Sequence, residues 1–159
     1  MSKLKKVLRK KKYIRIKLKR MKTNHLELSA KINGVKGRFI LDTGASNSCI
    51  GLELASFFKV ISEESEIKAA GAGAIDMETH TSENNLLKIG KWKTKKTKLV
   101  LFNLQHVNMA LEQHNEKSVH GIIGADVLEI GKAFIDYKNK FLYLKKPKKK
   151  SYKKLKLPF

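Results

Sequence analysis

The chain has 159 residues, of which 42% are hydrophobic, and its formal net charge is +21. This length is sufficient for one domain with its own core and is short for two. A single cysteine, Cys49, excludes an intrachain disulfide, and we expect it to pack as a small buried hydrophobe. The basic start of the chain is not followed by the apolar segment of a signal peptide, and no stretch approaches the roughly 18 apolar residues of a membrane span. These features predict a cytoplasmic protein.

The positive charge is concentrated at the two ends of the sequence. Residues 1–22 contain twelve Lys or Arg and no acid, and residues 145–159 contain eight Lys and no acid. Residues 23–144 contain the remaining fifteen basic and fourteen acidic residues, so this part is nearly neutral. The basic ends favour binding to a polyanion such as nucleic acid, the ribosome or an anionic membrane surface. Solvated extensions that only help solubility explain the same charge equally well.

The first predicted elements are strands with a period of two. Apolar and basic residues alternate over 13–20, which predicts a strand with one wet face. A second alternating stretch over 26–32 is followed by Asn33-Gly34, a strong hairpin signal. Residues 35–41 form the returning strand, which ends at the carboxylate of Asp42.

The elements after Asp42 are short, and most of them are strands. We predict a short helix over 52–58 and then a hairpin over 66–80 with a glycine-rich tip. Strands are predicted over 86–92 and 97–102. An irregular segment over 103–119 follows, with at most one helical turn at 109–111. A buried strand over 121–124, a helix over 125–130 that Gly131 ends, and a hairpin over 133–144 follow. This order predicts a mostly β protein with a compact barrel and one or two short helices.

Asp42 is the main candidate for catalysis because a carboxylate at the end of an apolar strand costs desolvation energy unless it is used. Two carboxylates held about 3 Å apart share one proton, so one can activate water while the other polarises a carbonyl. The next residues suit such a site. The Thr43 hydroxyl can fix the loop, Gly44 can turn its N–H toward the carboxylate, and Ala45 adds no hydroxyl beside it. The alternative is a carboxylate that only caps a turn.

Two segments resemble a known family. "FILDTGAS", residues 39–46, is similar to the active-site motif of the aspartic proteases, and "HGIIGADVL", residues 120–128, resembles the second signature of that fold. "AFIDYKNKFLYL", residues 133–144, resembles the closing hairpin of bacterial single-domain relatives. The resemblance covers roughly residues 24–145 and fits the retropepsin-like family best. It implies a retropepsin-like closed β-barrel, and it divides the chain into a basic N-terminal extension (1–22), a protease domain (23–145) and a basic C-terminal tail (146–159).

The resemblance also implies an activity. The chain has one Asp-Thr-Gly motif, so the family solution is a homodimer in which Asp42 of each subunit meets its copy at the two-fold axis. Gly71, Ala72 and Gly73 then resemble the flap that closes over a polypeptide substrate. No cofactor is implied, and the five histidines show no metal-binding spacing. The alternative is a catalytically silent retropepsin-like module that its basic tails attach to polyanions.

The chain departs from the retroviral pattern at two places. Ala125 stands where retroviral proteases have an arginine after the bracing glycine, and Ser46 and Asn47 stand where they have acidic residues. Those charged groups help to tie the viral dimer together. The resemblance therefore leaves open how the two subunits of this protein would be held together.

Overall fold

The computed structural model describes residues 2–65 and 78–148. The helices in these ranges are α1 (Lys3–Lys10), α2 (Gln105–Gln113), α3 (Ala125–Ile130) and a 3-10 helix (Leu52–Leu54). The strands are β1 (Tyr13–Lys17), β2 (Lys19–Arg20), β3 (Leu26–Ile32), β4 (Val35–Leu41), β5 (Cys49–Gly51), β6 (Glu63–Ser65), β7 (Thr79–Ile89), β8 (Trp92–Phe102), β9 (Gly121–Ile123), β10 (Phe134–Asp136) and β11 (Phe141–Lys145). No helix in the described ranges is long and apolar enough to cross a membrane.

The larger sheet closes on itself. Its strands follow the order β2-β3-β4-β9-β5-β8-β7-β6, and β7 also pairs with β3, so six strands from β3 to β7 form a closed barrel. Side chains that alternate along each strand fill the interior, among them Ile32, Phe39, Ile50 and Leu101, all at most 1% exposed. This confirms the prediction of a mostly β protein with a closed barrel. The described ranges contain three α-helices, where the sequence predicted one or two.

The basic N-terminal segment contributes to the core. The alternating stretch 13–20 forms two strands, because β1 pairs antiparallel with β11 while β2 pairs with β3. Between them Leu18 is 2% exposed, and its N–H donates to the Lys140 carbonyl. Met21 is equally buried. The apolar residues of 13–22 therefore share a core with the rest of the barrel, while Arg15, Lys17, Lys19, Arg20 and Lys22 remain exposed.

Helix α1 precedes these strands and was not predicted. Its residues, Lys, Leu, Val and Arg, are mostly good helix formers, and Ser2 caps the first turn by accepting a hydrogen bond from the Lys5 N–H. Leu8 is the residue of this helix that is buried. One buried leucine among cations gives too little periodicity for the sequence to indicate a helix.

Two further predictions of secondary structure were wrong. Residues 52–58 form only the 3-10 helix followed by a turn, because Phe58 is fully buried and Lys59 adopts a positive φ of 53° that ends the turn. Residues 105–113, predicted as irregular, form the nine-residue helix α2, whose Leu111 is buried in a small cluster with Met21 and Ile40. Tertiary packing selects the conformation in both segments.

Other elements lie where the sequence placed them. Helix α3 ends at Gly131, β9 occupies the predicted position between the glycines of the second signature, and β10 and β11 form the last hairpin. The predicted flap at Gly71, Ala72 and Gly73, and residues 149–159 of the C-terminal tail, lie outside the described residues.

Candidate active site

Asp42 lies immediately after β4, where the barrel brings the two sequence signatures together. β4 and β9 run parallel, with Leu41 beside Ile123, and the Asp42 N–H extends the pairing by donating to the Ile123 carbonyl at 3.0 Å. The side chain of Asp42 is exposed, in contrast to the apolar residues before it. The strand pairing thus fixes the backbone of the carboxylate while it leaves the carboxylate accessible.

The loop after Asp42 turns back on its side chain. The Gly44 N–H donates to Asp42 Oδ1 at 2.9 Å, and the Ala45 N–H donates to the Asp42 carbonyl at 3.2 Å. A Cβ on Gly44 would lie 3.3 Å from the same carboxylate oxygen, so the close approach favours glycine. The exposed Thr43 makes no hydrogen bond within the described ranges, so its hydroxyl does not fix the loop within a single subunit.

A buried serine ties this loop to helix α3. The Ser48 N–H donates to both carboxylate oxygens of Asp126 at 3.0 Å, and the Ser48 hydroxyl donates to Asp126 Oδ1 at 2.7 Å. The same hydroxyl accepts the Gly124 N–H at 2.9 Å. Ser48 is fully buried, and its bonds to a carboxylate are of the charge-assisted kind. Asp126, the second residue of α3, also accepts the Val127 N–H at 2.8 Å.

This tie was missed at the level of sequence. Asp126 lies in a predicted helix and Ser48 in a loop, and the two are 78 positions apart in the sequence. Two residues in the sequence could have indicated it: the hydroxyl of Ser48, six residues after Asp42, and the acid Asp126, two residues after the bracing Gly124. In this chain the tie lies next to the position of the missing arginine, Ala125, and it requires no basic residue.

A second, backbone contact supports the first. The Ala125 N–H donates to the Ala45 carbonyl at 2.8 Å. A Cβ on Gly124 would lie 2.5 Å from that carbonyl oxygen, which a real side chain does not tolerate. The two signatures are therefore in direct contact through main-chain atoms, and the position of Asp42 is set from both sides.

His120, the first residue of the second signature, links β4 to the start of β9. Its ring Nδ1 accepts the Arg38 backbone N–H at 2.9 Å, and the backbone N–H of His120 donates to the Arg38 carbonyl at 2.9 Å. The ring is stacked on Phe57 with centroids 5.7 Å apart and meets Phe58 edge-on. Burial among these groups, reinforced by the charge of Arg38, lowers the pKa of His120 from its ordinary value.

Other reactive side chains near the site are unsuited to catalysis. Burial raises the pKa of the Cys49 thiol to about 12, so it remains protonated at neutral pH. Across residues 2–65 and 78–148, no three His, Cys, Asp or Glu side chains are grouped so that they could hold a metal ion. Asp42 is thus the one sequence-predicted catalytic side chain. Gly44 and Ala45 bond to it, and Ser48 and Asp126 tie its loop to α3.

Comparison with known proteins gives a family and a fold. A family model described as aspartyl protease matches residues 28–127, which include both signatures. Among curated proteins, none matches the chain. A retropepsin-like aspartic protease from Rickettsia conorii is 23% identical with a TM-score of 0.50, over 83% of this chain and 89% of that one. The retroviral protease-like domain of Ddi1 from Leishmania major is 18% identical with a TM-score of 0.53, over 76% of this chain and 87% of that one. Because this family model covers most of the chain, the chain belongs to the aspartyl protease family, and it has the same fold as these retropepsin-like structures.

Proposed function

We propose that the protein is an aspartic endopeptidase that hydrolyses peptide bonds as a homodimer. The observation that carries the proposal is the arrangement at Asp42: an exposed carboxylate whose oxygen accepts the Gly44 N–H, on a loop fixed by Ser48 and Asp126. Among residues 2–65 and 78–148, no basic side chain forms an ion pair with this carboxylate. One subunit supplies only one carboxylate of this kind, because the chain has a single Asp-Thr-Gly.

A second copy completes the chemistry. When Asp42 of each subunit meets at a two-fold axis, the two carboxylates hold one proton between them. The ionised oxygen takes a proton from water, the water oxygen attacks the peptide carbonyl, and the protonated carboxyl donates to the carbonyl oxygen, which gives a tetrahedral diol. The C–N bond then breaks as the carboxyl that took the proton from water gives it to the amine nitrogen, while the other carboxylate takes a proton from a hydroxyl of the diol, so the products are a carboxylic acid, an amine and a pair that again holds one proton. Exposed Asp42, Thr43 and Gly44 suit a surface that a partner covers, and the unused Thr43 hydroxyl is available to that partner.

The flap belongs to this proposal. β6 and β7 pair antiparallel from Glu63 with Thr81 to Ser65 with Thr79, so the segment 66–77 connects two adjacent strands of the sheet. Gly71, Ala72 and Gly73 within it are proposed to cover a bound polypeptide and exclude water. A cytoplasmic location remains a prediction of the sequence.

The test compares the wild type with Asp42→Asn. We expect peptide cleavage between pH 4 and 8 that pepstatin blocks, and a loss of about 10²–10⁴-fold in Asp42→Asn, because an amide cannot share the proton. Asp136→Asn is the matched control, since it removes the same charge at an exposed turn next to Asn139. A wild-type dimer that cleaves nothing across this range contradicts the enzyme and leaves the silent binding module.

A mixing experiment tests the dimer separately. Asp42→Asn in ninefold excess should place most wild-type chains in mixed dimers and reduce the wild-type activity to about one tenth, if exchange is complete. An excess of Asp136→Asn should not reduce it. A monomer that cleaves at full rate would contradict the shared proton.

A further inference from the structure

The near-neutral part of the chain carries a row of lysines across four strands. Lys31 of β3 lies opposite Lys36 of β4 on one side and opposite Lys88 of β7 on the other, and Lys88 lies opposite Lys93 of β8. All four side chains are exposed on the outside of the barrel. With strands about 4.8 Å apart, the row is about 14 Å long. We call Lys36, Lys31, Lys88 and Lys93 the lysine row.

The lysine row is electrostatically unfavourable for the isolated protein. Like charges directly opposite each other on adjacent strands destabilise a sheet. Within the described residues, Lys and Arg form ion pairs only with Glu27, through Lys19 and Arg38, and neither belongs to the row. Three successive like-charge pairs with no acid to compensate them indicate a surface whose positive charge is neutralised by a bound anion.

Two clefts extend this surface, and both are lined by cations. One cleft, of about 530 Å³, contains Lys31, Lys36 and Lys88 of the row together with Arg15 and Lys17. The other, of about 760 Å³, contains Lys5, Arg9, Lys12, Arg15, Lys91 and Lys146. Arg15 and Gly90 line both, so the clefts are neighbours, and among the described residues no Asp or Glu lines either of them.

The extended shape of this surface favours a polymer of regularly spaced anions. Helix α1, strand β1 and the barrel strands each contribute cations to it, so the basic N-terminal segment and the nearly neutral domain form one basic face. We name the lysine row and the cations of these two clefts the basic face. A single small anion would need only a few of these residues.

We propose that the basic face binds duplex nucleic acid through its phosphate backbone. The clefts are concave, which suits a rod-shaped polyanion better than a flat bilayer. The aromatic residues that line them are not free to stack bases, because Tyr143 is 2% exposed and Tyr13 is packed edge-on against Phe134. This favours recognition of phosphates over stacking on single-stranded bases.

The basic face is separate from the candidate active site. Lys36 and Asp42 lie near opposite ends of β4, six residues apart, which corresponds to about 20 Å along an extended strand. Binding at the basic face therefore neither requires nor blocks the Asp42 end. The proposal stands whether or not the chain cleaves peptides.

The experiment uses the full chain and fluorescein-labelled 24-base-pair duplexes of RNA and of DNA, with anisotropy measured from 50 to 300 mM salt. Each phosphate contact contributes a slope of about −0.9 to the plot of log K against log salt. The double variant Lys31→Gln/Lys88→Gln should therefore bind about 30-fold more weakly at 0.15 M salt, with a slope shallower by about 1.8. The control Lys22→Gln/Lys117→Gln removes the same charge beside α2, where Lys22 contacts the Asn115 carbonyl, and should bind like the wild type.

The outcomes separate the alternatives. Selective loss in the Lys31/Lys88 variant supports the proposal, and the RNA and DNA arms show which duplex is bound. Equal loss in both variants would assign binding to net charge and overturn it, as would no duplex binding at 100 mM salt. Vesicles of phosphatidylcholine and phosphatidylserine form the last arm, because α1 exposes Leu4 and Val7 beside its cations. If the Lys31/Lys88 variant loses vesicle binding while duplex binding is unchanged, the face is a membrane surface and the proposal fails.

Discussion

The two ends of β4 differ in how completely their polar groups are satisfied. At the Asp42 end, hydrogen bonds from Gly44, Ser48 and Ala125 hold the loop, and Gly124 leaves no room for a Cβ. At the Lys36 end, four lysines face one another, and in the described part of the chain none of them forms an ion pair with an acid. The first end is built to keep one geometry. At the second end, lysine side chains repel one another, and the fold tolerates this repulsion. Such unrelieved repulsion is typical of a surface that binds a partner.

The largest effect should come from breaking the tie at the Asp42 end with Ser48→Ala. The change removes a hydrogen bond to a carboxylate and leaves the buried Gly124 N–H without an acceptor, so we expect the free energy of unfolding to fall by about 2–4 kcal/mol. Urea unfolding measures it. Peptide cleavage should fall as well, because the loop that positions Asp42 is released.

Ser46→Ala is the control for this change. Ser46 is exposed in the same loop, so its loss should alter the free energy of unfolding by less than about 0.5 kcal/mol. If Ser48→Ala and Ser46→Ala unfold at the same urea concentration, the Asp42 end is not held by the Ser48–Asp126 tie.

The sequence predicted the two ends unequally well. The period of two in residues 13–20 and 26–32 reflects side chains that alternate between core and solvent, and the Asn33-Gly34 turn indicates the returning strand 35–41, so these strands could be found. Asp42 could be found because its motif is continuous. The Ser48–Asp126 tie joins residues 78 positions apart, and α2 is stabilised by packing of Leu111 against distant residues. Neither leaves a local pattern.

The basic face was hidden for a related reason. Counting charge along the chain gave a nearly neutral middle and two basic ends, and that count is correct. Pairing of the strands then places Lys31, Lys36, Lys88 and Lys93 of the middle in one row. It also brings Arg15 of the N-terminal end into the cleft of Lys88, and Lys146 of the C-terminal end into the cleft of Lys91. Net charge per segment is a one-dimensional quantity, and the surface depends on the register of β3, β4, β7 and β8.

A gain in stability should follow from relieving the Lys36 end with Lys88→Glu. Glu at this position faces Lys31 and Lys93, so two like-charge pairs become opposite-charge pairs, and the free energy of unfolding should rise by about 1 kcal/mol at low salt. Thermal unfolding would show this as a shift of about 2–4 °C, and the gain should shrink as salt screens the charges.

The control Lys117→Glu changes the net charge equally at an exposed position between α2 and β9. If it stabilises the protein as much as Lys88→Glu, the benefit comes from the overall charge of +21 and the lysine row carries no particular repulsion. A destabilised Lys88→Glu would mean that the side chains of the row avoid one another.

The smallest effect concerns the middle of β4, where His120 bonds to the backbone of Arg38. Because burial lowers the pKa of His120 in the folded state, the unfolded chain binds a proton first as the pH falls below about 6.5. The free energy of unfolding should therefore decrease below that pH and level off once the folded ring is also protonated. Protonation at Nδ1 would also turn the acceptor of the Arg38 N–H into a donor.

His120→Asn should reduce this dependence of stability on pH, since the amide oxygen can accept the same N–H and does not titrate. The control His106→Asn changes an exposed residue of α2 and should leave the dependence unchanged. The comparison is the change in urea midpoint between pH 7.5 and pH 5 for each variant. An unchanged dependence in His120→Asn would assign the acid sensitivity to other groups. The result bears on the Asp42 end as well. If His120→Asn relieves a fall in peptide cleavage at low pH, that fall arises from weakened pairing of β4 with β9. If the fall is the same in His120→Asn, it arises at the carboxylates themselves.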